Sequence, residues 1–413
     1  MKKLNVMYNG WGKSIHYGTL AESNQAIYFE FTPQALESNI QLSPIQTPLS
    51  TGLLGDFPAY QDNLPGFIAD SLPDGWGRLL VDRYLLKEQN IPTNQITPLQ
   101  RLALVGDRAI GALSFVPAEQ LPNGDKVPMD LTQLSNQIQH VVNDKDTDAL
   151  LQLILVGGSP QGARPKALIR YNTQTNQIST STAAEGEDWL VKFPSKQDHY
   201  EVCAIEHVYA NLARQIGIAV PPTRYFKLNE KYSAFAIKRF DRTADRLKIP
   251  VLTVAGALDL DFRIPNFDYR DLLRLTRVIT NNKQQVYTLF LRVIFNIIFN
   301  NRDDHTKNFS FIMNEKQQWQ ISPAYDLTFN EGPGGYHQMA VMGEAYAPTK
   351  QDLIKLINDS ALNPKKCQQL IETVIETALT FKQQALNQGH IRKQTINNID
   401  KKIRENIKLL NAS

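Results

Sequence analysis

Acidic and amide side chains recur in the C-terminal half of the chain at a spacing suited to phosphoryl transfer. Asn308 follows Asp303 by five residues, and Asp326 lies eighteen residues beyond Asn308. In such a set the first carboxylate orients the attacking hydroxyl and accepts its proton, while the amide and the second carboxylate hold Mg²⁺ against nucleotide phosphates. These three residues therefore predict a magnesium-dependent phosphoryl-transfer site.

The residues around Asp303 also have a simpler interpretation. Asp303-Asp304-His305 is typical of a helix end or a turn, because short polar side chains bond their own backbone. The interval from Asp303 to Asn308 equals that of the protein-kinase catalytic loop, but motifs this short often match by chance. The choice between the two interpretations depends on the residues upstream.

Composition limits the class of protein. The 413 residues, 42% hydrophobic and 21% charged, predict two or three globular units with ordinary cores. A net charge of +3 is too small to indicate a nucleic-acid or membrane surface. The sequence gives no reason to expect a disulfide between Cys203 and Cys367, so we expect a reducing, cytoplasmic setting. The most apolar run, Leu289 to Phe299, is interrupted by Arg292 and Asn296 and is too short to cross a bilayer.

The chain is predicted to have three parts. Residues 1–117 form an N-terminal α+β subdomain, with strands at Leu4–Tyr8 and Ala26–Phe31; residues 118–240 form a mixed lobe, and residues 241–413 a mostly helical lobe. Apolar spacing predicts helices at Leu79–Lys87, Leu131–Val142, Glu201–Ile216, Tyr269–Thr280, Val286–Asn300, Lys350–Ile357, Lys365–Gln388 and Lys393–Leu410.

A segment of small residues, Gly157 to Lys166, precedes the strands of the mixed lobe. Glycines allow backbone N–H groups to approach phosphate oxygens, and Arg164 and Lys166 add positive charge. The segment matches neither the Walker A pattern nor the Gly-rich loop of protein kinases. A surface hairpin loop is the alternative interpretation.

A lysine ends the apolar strand Trp189-Leu190-Val191-Lys192. Its ammonium group is predicted to pair with nucleotide α- and β-phosphates, as the strand lysine of kinases does. The alternative is a lysine on an edge strand, where it would prevent aggregation. Glu206, in the next helix, is a candidate partner for Lys192, the alternative being an exposed helical glutamate.

The strand Ala234 to Arg242 leads to a hinge between the two lobes. Backbone groups of Lys238 and Phe240 are candidates for contact with an adenine edge, and a buried strand with a charged exit is the alternative. The chain order is then glycine loop, strand lysine, helix glutamate, hinge, Asp-x4-Asn and second aspartate. This is the order of these elements in kinases, and it favours phosphoryl transfer.

Seven segments together form a specific pattern: Leu72–Arg78, Gly106–Leu113, Gly162–Lys166, Val191–Pro194, Lys238–Arg242, Asp304–Ser310 and Tyr325–Leu327. In these segments, and over nearly its whole length, the chain resembles the HipA family of serine/threonine kinase toxins. The resemblance implies an α+β, bilobal protein-kinase-like fold with an additional N-terminal α+β subdomain and a mostly helical C-terminal lobe.

The resemblance also implies roles for individual residues. Asp303 corresponds to the catalytic aspartate, while Asn308 and Asp326 hold Mg²⁺. Ser159 corresponds to a serine that these kinases autophosphorylate, which expels the phosphate-binding loop because the added charge repels bound phosphates. The implied contacts with ATP involve Gly158, Ser159, Gly162, Ala163, Lys166, Lys192, Lys238, Phe240, Asp241, His305 and Lys307.

Partners are likewise implied by the resemblance. The family pairs its toxin with a small HipB-like DNA-binding antitoxin, so DNA is contacted only indirectly, and no membrane partner is expected. The implied substrate is a translation-related protein, with aminoacyl-tRNA synthetases, the glutamate enzyme above all, as candidates. Two other functions remain open: a small-molecule kinase of the aminoglycoside or choline type, and a non-catalytic corepressor scaffold.

Overall fold

The computed structural model describes residues 2–24, 26–118, 130–143, 150–157, 162–181 and 183–411. Contacts between residues divide the chain into two compact units. The first comprises Met1–Tyr200, Arg224–Leu260 and Ile312–Gln317, and the second comprises Glu201–Thr223, Asp261–Phe311 and Gln318–Ser413. The three-part division at residues 117 and 240 stays a prediction.

The first unit begins with a five-stranded antiparallel sheet. Leu4, Val6 and Tyr8 are buried and alternate with less buried residues, the pattern of a strand with one face on a core. Both strands predicted in this region are confirmed. In spatial order the strands are Leu53–Leu54, Ala26–Phe31, Ile15–Ser23, Lys3–Tyr8 and Leu113–Val116. The accompanying helices are Pro33–Ser38, Gly66–Ala69, Gly75–Gln89 and Pro98–Val105.

A second five-stranded sheet follows in the same unit. In spatial order its strands are Gln177–Ser179, Lys166–Asn172, Glu187–Lys192, Ser233–Lys238 and Thr223–Lys227. Helices Leu131–Val142 and Leu150–Gly157 pack beside this sheet, and the short strand Val251–Thr253 and helix Val254–Leu258 come later in the chain. The N-terminal helix Gly75–Gln89 shares the core of this sheet, because Trp76 and Leu80 belong to one buried cluster with Trp189 and Val191.

The second unit is mostly helical. Short strands interrupt the helices: Phe267–Asp268 and Met339–Ala340 form a parallel pair, and Trp319–Ile321 is a further strand. The strand Ser310–Met313 is divided between the two units after Phe311. The helices of the second unit are Val202–Gln215, Tyr269–Thr280, Lys283–Ile298, Lys350–Asp359, Pro364–Ala378, Phe381–Gln388 and Lys393–Asn411.

The prediction of one continuous helix at Lys365–Gln388 is wrong. The segment Lys365–Gln388 forms two helices that separate at Leu379 and Thr380. The hydroxyl of Thr380 donates to the carbonyl of Thr377 at 2.7 Å, and its backbone N–H donates to the same carbonyl at 3.0 Å. This tighter turn competes with the α-helical hydrogen bonds and ends the first helix. The other predicted helices are confirmed, with ends that differ by four residues at most.

In the part of the chain that the structure describes, every helix is too short or too polar to span a lipid bilayer.

Candidate functional site

The loop that carries Asp303 follows a buried helix and is tied to the segment just beyond Asp326. Every residue from Leu289 to Ile298 is buried. Asn300 has a left-handed backbone, with φ of 54°, and turns the chain out of the helix. Its side-chain amide donates to the carbonyl of Asn330 at 3.0 Å, and the N–H of Asn330 donates back to the carbonyl of Asn300 at 3.0 Å.

Asp303 and Asn308 are in direct contact. The Asn308 Nδ2 donates to the backbone carbonyl of Asp303 at 2.6 Å, which leaves the amide oxygen as the atom suited to a cation. The Asp303 side chain is 46% exposed, and its Oδ1 lies 3.8 Å from the His305 Nε2. Its carboxylate is therefore accessible to a substrate hydroxyl.

Asp326 is linked to the same loop through its neighbour Tyr325. The Tyr325 hydroxyl contacts the carbonyl of Lys307 at 2.8 Å and the Ser310 hydroxyl at 3.1 Å. Asp326 itself has a positive φ of 54°. Such a conformation is unfavourable for a residue with a Cβ and is concentrated at functional sites.

The metal-binding potential of this loop suits Mg²⁺. Among the described residues, no group of three or more His, Cys, Asp or Glu side chains is arranged to hold a metal ion. Mg²⁺ needs no such cage, because it takes one or two protein oxygens and completes its shell with phosphate and water. The amide of Asn308 and the carboxylate of Asp326 provide oxygens of this kind.

The neighbouring carboxylate, Asp304, is completely buried and fully engaged. It accepts hydrogen bonds from the Tyr269 hydroxyl at 2.6 Å, from His337 Nδ1 at 2.8 Å and from the N–H of Gln338 at 2.8 Å. Burial alone would raise the pKa of Asp304, but these donors outweigh it and hold the pKa below its usual value. Asp304 thus supports the loop, and of the two adjacent acids only Asp303 has an exposed side chain.

Phe262 is a site residue that the sequence did not indicate. Its ring centroid lies 4.4 Å from the Lys307 ammonium and 5.5 Å from the His305 ring, and the Arg263 guanidinium is 4.9 Å away. Two residues predicted to contact ATP therefore lie against one aromatic ring. The helices Tyr269–Thr280 and Lys283–Ile298 lie between Phe262 and the loop in the sequence, so no motif spacing connects Phe262 with Lys307 and His305.

In the first unit, two predicted phosphate-binding lysines face each other. Lys166 and Lys192 occupy the same register position on adjacent antiparallel strands, and both are buried. The Lys192 ammonium also lies 5.7 Å from the Phe235 ring. Like charges at one register position are unfavourable unless anionic groups lie near them, and a polyphosphate is a group of this kind.

The structure also decides two alternatives for this region. The strand Glu187–Lys192 lies inside its sheet, so Lys192 is not a lysine of an edge strand. Glu206 is 4% exposed, which excludes an exposed helical glutamate. Its pairing with Lys192 stays a prediction.

Gly162 makes room for one of these lysines. Its φ is 106°, and a Cβ at this position would lie 2.2 Å from the Lys166 ammonium nitrogen. The backbone conformation therefore favours glycine here, and the missing Cβ leaves room for the Lys166 side chain. Ala163 follows in the same segment. Gly158 and Ser159, predicted to bind ATP, lie outside the described residues.

The predicted hinge residues serve the fold through their side chains. Lys238 forms an ion pair with Glu187, which leaves only its backbone for a nucleotide. Asp241 is buried and accepts hydrogen bonds from Arg239, from Arg242 and from the N–H of Gly111. Burial by itself would raise the pKa of Asp241, but the two guanidinium groups have the larger effect and hold this pKa below its usual value. The carboxylate therefore stays charged.

A nucleotide role for this hinge would fall to its backbone. The side chain of Asp241 is taken up inside the protein, and Phe240 is partly exposed. The predicted contacts of Lys238, Phe240 and Asp241 with ATP stay predictions.

Comparison with known proteins identifies both parts of the chain. Residues 158–381 match the family described as HipA-like C-terminal domain, and residues 4–116 match the HipA N-terminal domain. A candidate kinase of Sinorhizobium fredii, Y4dM, is 26% identical over 301 residues, which are 67% of this chain and 64% of that protein. A candidate kinase of Haemophilus influenzae is 25% identical over 147 residues, 32% of this chain and 43% of that protein. The matches thus span less than two thirds of either relative.

A solved structure shares the fold. HipA in the Shewanella oneidensis MR-1 toxin–antitoxin complex of HipA, HipB and operator DNA superposes with a TM-score of 0.70 and 18% identity, over 98% of this chain and 96% of that one. This likeness confirms the predicted α+β fold class.

Proposed function

The chain belongs to the HipA family, and from this premise we propose that it is an ATP- and Mg²⁺-dependent serine/threonine protein kinase that acts as a toxin. One observation supports the proposal most strongly: an exposed Asp303 is bonded to Asn308 in a loop that is also linked to Asp326. A base beside an amide and a second carboxylate is the residue set that phosphoryl transfer needs.

In the proposed reaction Asp303 orients a substrate hydroxyl and accepts its proton. Asn308 and Asp326 hold Mg²⁺ through side-chain oxygens. Lys166 and Lys192 bind phosphate oxygens, and the conformation of Gly162 lets the backbone come close to them. When bound, Mg²⁺-ATP supplies the transferred phosphoryl group and the charge that stabilises it.

The regulation, target and partner of the enzyme are part of the same proposal. We assign autophosphorylation to Ser159 and the substrate to a translation-related protein, with an aminoacyl-tRNA synthetase as the candidate. The partner is a HipB-like antitoxin, a proposal supported by family membership and by the HipB present in the Shewanella complex.

The test is phosphoryl transfer from labelled ATP. We expect Asp303→Gln and Asp326→Ala to abolish labelling of the chain and of lysate proteins, and to relieve growth arrest on expression. The matched control Asp245→Asn changes an exposed acid outside the loop and should label as the native chain does. Equal labelling by the native chain and both loop variants would contradict the proposal.

A parallel reaction separates the small-molecule alternative. The native chain is offered lysate proteins, aminoglycosides and choline in separate mixtures. A protein kinase labels the lysate, whereas transfer to the small molecules alone would replace the proposed function by the alternative one.

A further inference from the structure

The motif Leu72–Arg78 contacts the phosphate-binding segment Gly162–Lys166 through three hydrogen bonds. The N–H of Gly162 donates to the Asp74 carboxylate. The N–H of Trp76 donates to the carbonyl of Gly162 at 3.2 Å, and the Trp76 indole Nε1 donates to the carbonyl of Lys166 at 3.1 Å. Both ends of the segment are therefore bonded to the start of the helix Gly75–Gln89.

Gly75 brings the two backbones into direct contact. A Cβ on Gly75 would lie 2.6 Å from the Ala163 Cα and 2.7 Å from the carbonyl oxygen of Gly162, and the φ of Gly75 is 41°. Both of these atoms belong to the backbone, which cannot move aside as the end of a side chain can. Only glycine permits this approach.

The opposite side of the segment is fixed to the neighbouring strand. The N–H of Phe193 donates to the carbonyl of Pro165 at 2.9 Å, and Arg164 pairs with Asp198 at 2.9 Å. Phe193 directly follows Lys192. The positions of Lys166 and Lys192 therefore both depend on how this segment is held.

We infer that Asp74 and Trp76 are positioning residues, which hold the segment Gly162–Lys166 ready for the phosphates of a nucleotide. The inference rests on the proposed function and gives the Leu72–Arg78 motif a task in it. A segment fixed before binding need not lose conformational freedom when the nucleotide arrives, so its anchor sets the affinity for ATP more than the rate of transfer.

The test compares two substitutions of Asp74 in the full-length chain. Asp74→Ala removes the acceptor for the Gly162 N–H, whereas Asp74→Asn keeps a side-chain oxygen at that place. We expect Asp74→Ala to raise the KM for ATP about ten-fold with kcat within two-fold, the change that loss of one hydrogen bond to a charged group allows. Asp74→Asn should restore the native KM.

The control is Asp62→Asn. This change breaks the ion pair between Asp62 and Arg78, a residue of the helix Gly75–Gln89. Asp62 takes no part in the three hydrogen bonds to the segment Gly162–Lys166. Its KM and kcat should equal those of the native chain. If Asp74→Ala does not fold, Trp76→Phe takes its place, because it keeps an aromatic ring in the core and removes the indole donor.

Hydrogen exchange without nucleotide provides a second readout. Backbone amides in residues 162–166 should exchange faster in Asp74→Ala than in the native chain, Asp74→Asn or Asp62→Asn. If these amides exchange equally fast in Asp74→Ala and in the native chain, Asp74 does not anchor the segment. If they exchange faster in Asp74→Ala but its KM for ATP is unchanged, the anchor does not position the segment for the nucleotide. A native chain that transfers no phosphate overturns the proposed function and this inference with it, whereas an active native chain with an unaltered Asp74→Ala overturns the inference alone.

Discussion

Two adjacent acids in the loop of residues 300–308 have opposite environments. The Asp303 side chain is 46% exposed, while that of Asp304 is fully buried among Tyr269, His337 and Gln338. A base must be reached by its substrate, and a buried carboxylate must be satisfied by donors. Asp303 is therefore proposed as the base of the reaction, whereas Asp304 supports the conformation of the loop.

We predict that Asp304→Asn destabilises the fold at neutral pH. Losing the charge that three donors surround should lower the free energy of unfolding by about 2–4 kcal/mol. The pKa of Asp304 lies below its usual value of 3.8 in the folded chain. The unfolded state thus binds the proton more readily, so the contribution is complete above this pH and is lost as the pH falls below it.

Urea unfolding of the native chain and Asp304→Asn between pH 7 and pH 3 measures this difference. The gap between the two should narrow below about pH 4, near the pKa of an unfolded aspartate. Asp245→Asn, which changes an exposed acid, should show no gap at any pH. A gap of constant size would show that the Asp304 charge is not its cause.

Phe262 provides a prediction about cation placement. Phe262→Leu removes the ring that lies 4.4 Å from the Lys307 ammonium, and should lower kcat/KM for phosphoryl transfer about five-fold, within the range of one cation–π contact. Phe262→Tyr keeps the ring and should retain native activity. Steady-state kinetics measures kcat/KM for both variants, and thermal melting shows whether each is folded. Equal kcat/KM values for Phe262→Leu and Phe262→Tyr would refute a role for the cation–π contact.

The sequence reveals only some residues of this loop. Spacing predicted Asp303, Asn308 and Asp326, because kinase chemistry fixes the interval between the first two. Phe262 and His337 could not be found in this way, since their contacts with the loop depend on tertiary packing over more than thirty residues.

At the scale of elements, strand register decides what the lysines can do. The sequence predicted a strand that ends in Lys192 and a segment that ends in Lys166, but not that these residues pair. A shift of one residue would place either ammonium on the opposite face of the sheet. Register is set by packing on the buried face and is not visible in a single strand.

We predict that each of these lysines is needed for stabilisation by nucleotide. At one hundred times its Kd, Mg²⁺-ATP should stabilise the native chain by about 2.7 kcal/mol. Lys166→Met and Lys192→Met should lose most of this effect, measured as the shift in Tm on adding Mg²⁺-ATP. Lys227→Met removes an exposed lysine paired with Glu230 and should keep the native shift. A full shift in both buried-lysine variants would exclude them from phosphate binding.

The helix break at Leu379 shows where apolar spacing is insufficient. The periodic pattern of apolar residues continues through this position, as Ala378, Phe381 and Ala385 are all buried. The break comes from the Thr380 hydroxyl, a local hydrogen-bonding effect that does not disturb the pattern.

At the scale of the molecule, the N-terminal helix Gly75–Gln89 and the strands of the second sheet share one core. Trp76, Leu80 and Tyr84 belong to the same buried cluster as Trp189 and Val191. In the same unit, Gly111 donates to Asp241 beside the predicted hinge. The linker-like residues after Val116 predict a separate N-terminal subdomain, and this division stays a prediction. Long-range packing of this kind leaves no local signature in the sequence.

We therefore predict that residues 118–413 do not fold alone. Removing the helix Gly75–Gln89 would expose the apolar face of the second sheet, and the Asp241 network would lose its backbone partners. The truncated chain should lack a cooperative unfolding transition by circular dichroism and should be cleaved rapidly by protease. A sharp transition together with nucleotide binding by residues 118–413 would refute this.

The bond between Asp304 and His337 has a consequence for protein engineering. Residues 300–308 cannot be exchanged for those of a distant relative as a self-contained cassette, because one of their acids is completed by a histidine thirty-three positions downstream. A chimera that imports the loop without its matching histidine would leave the buried Asp304 carboxylate with one donor fewer. Successful grafts should therefore carry both stretches together.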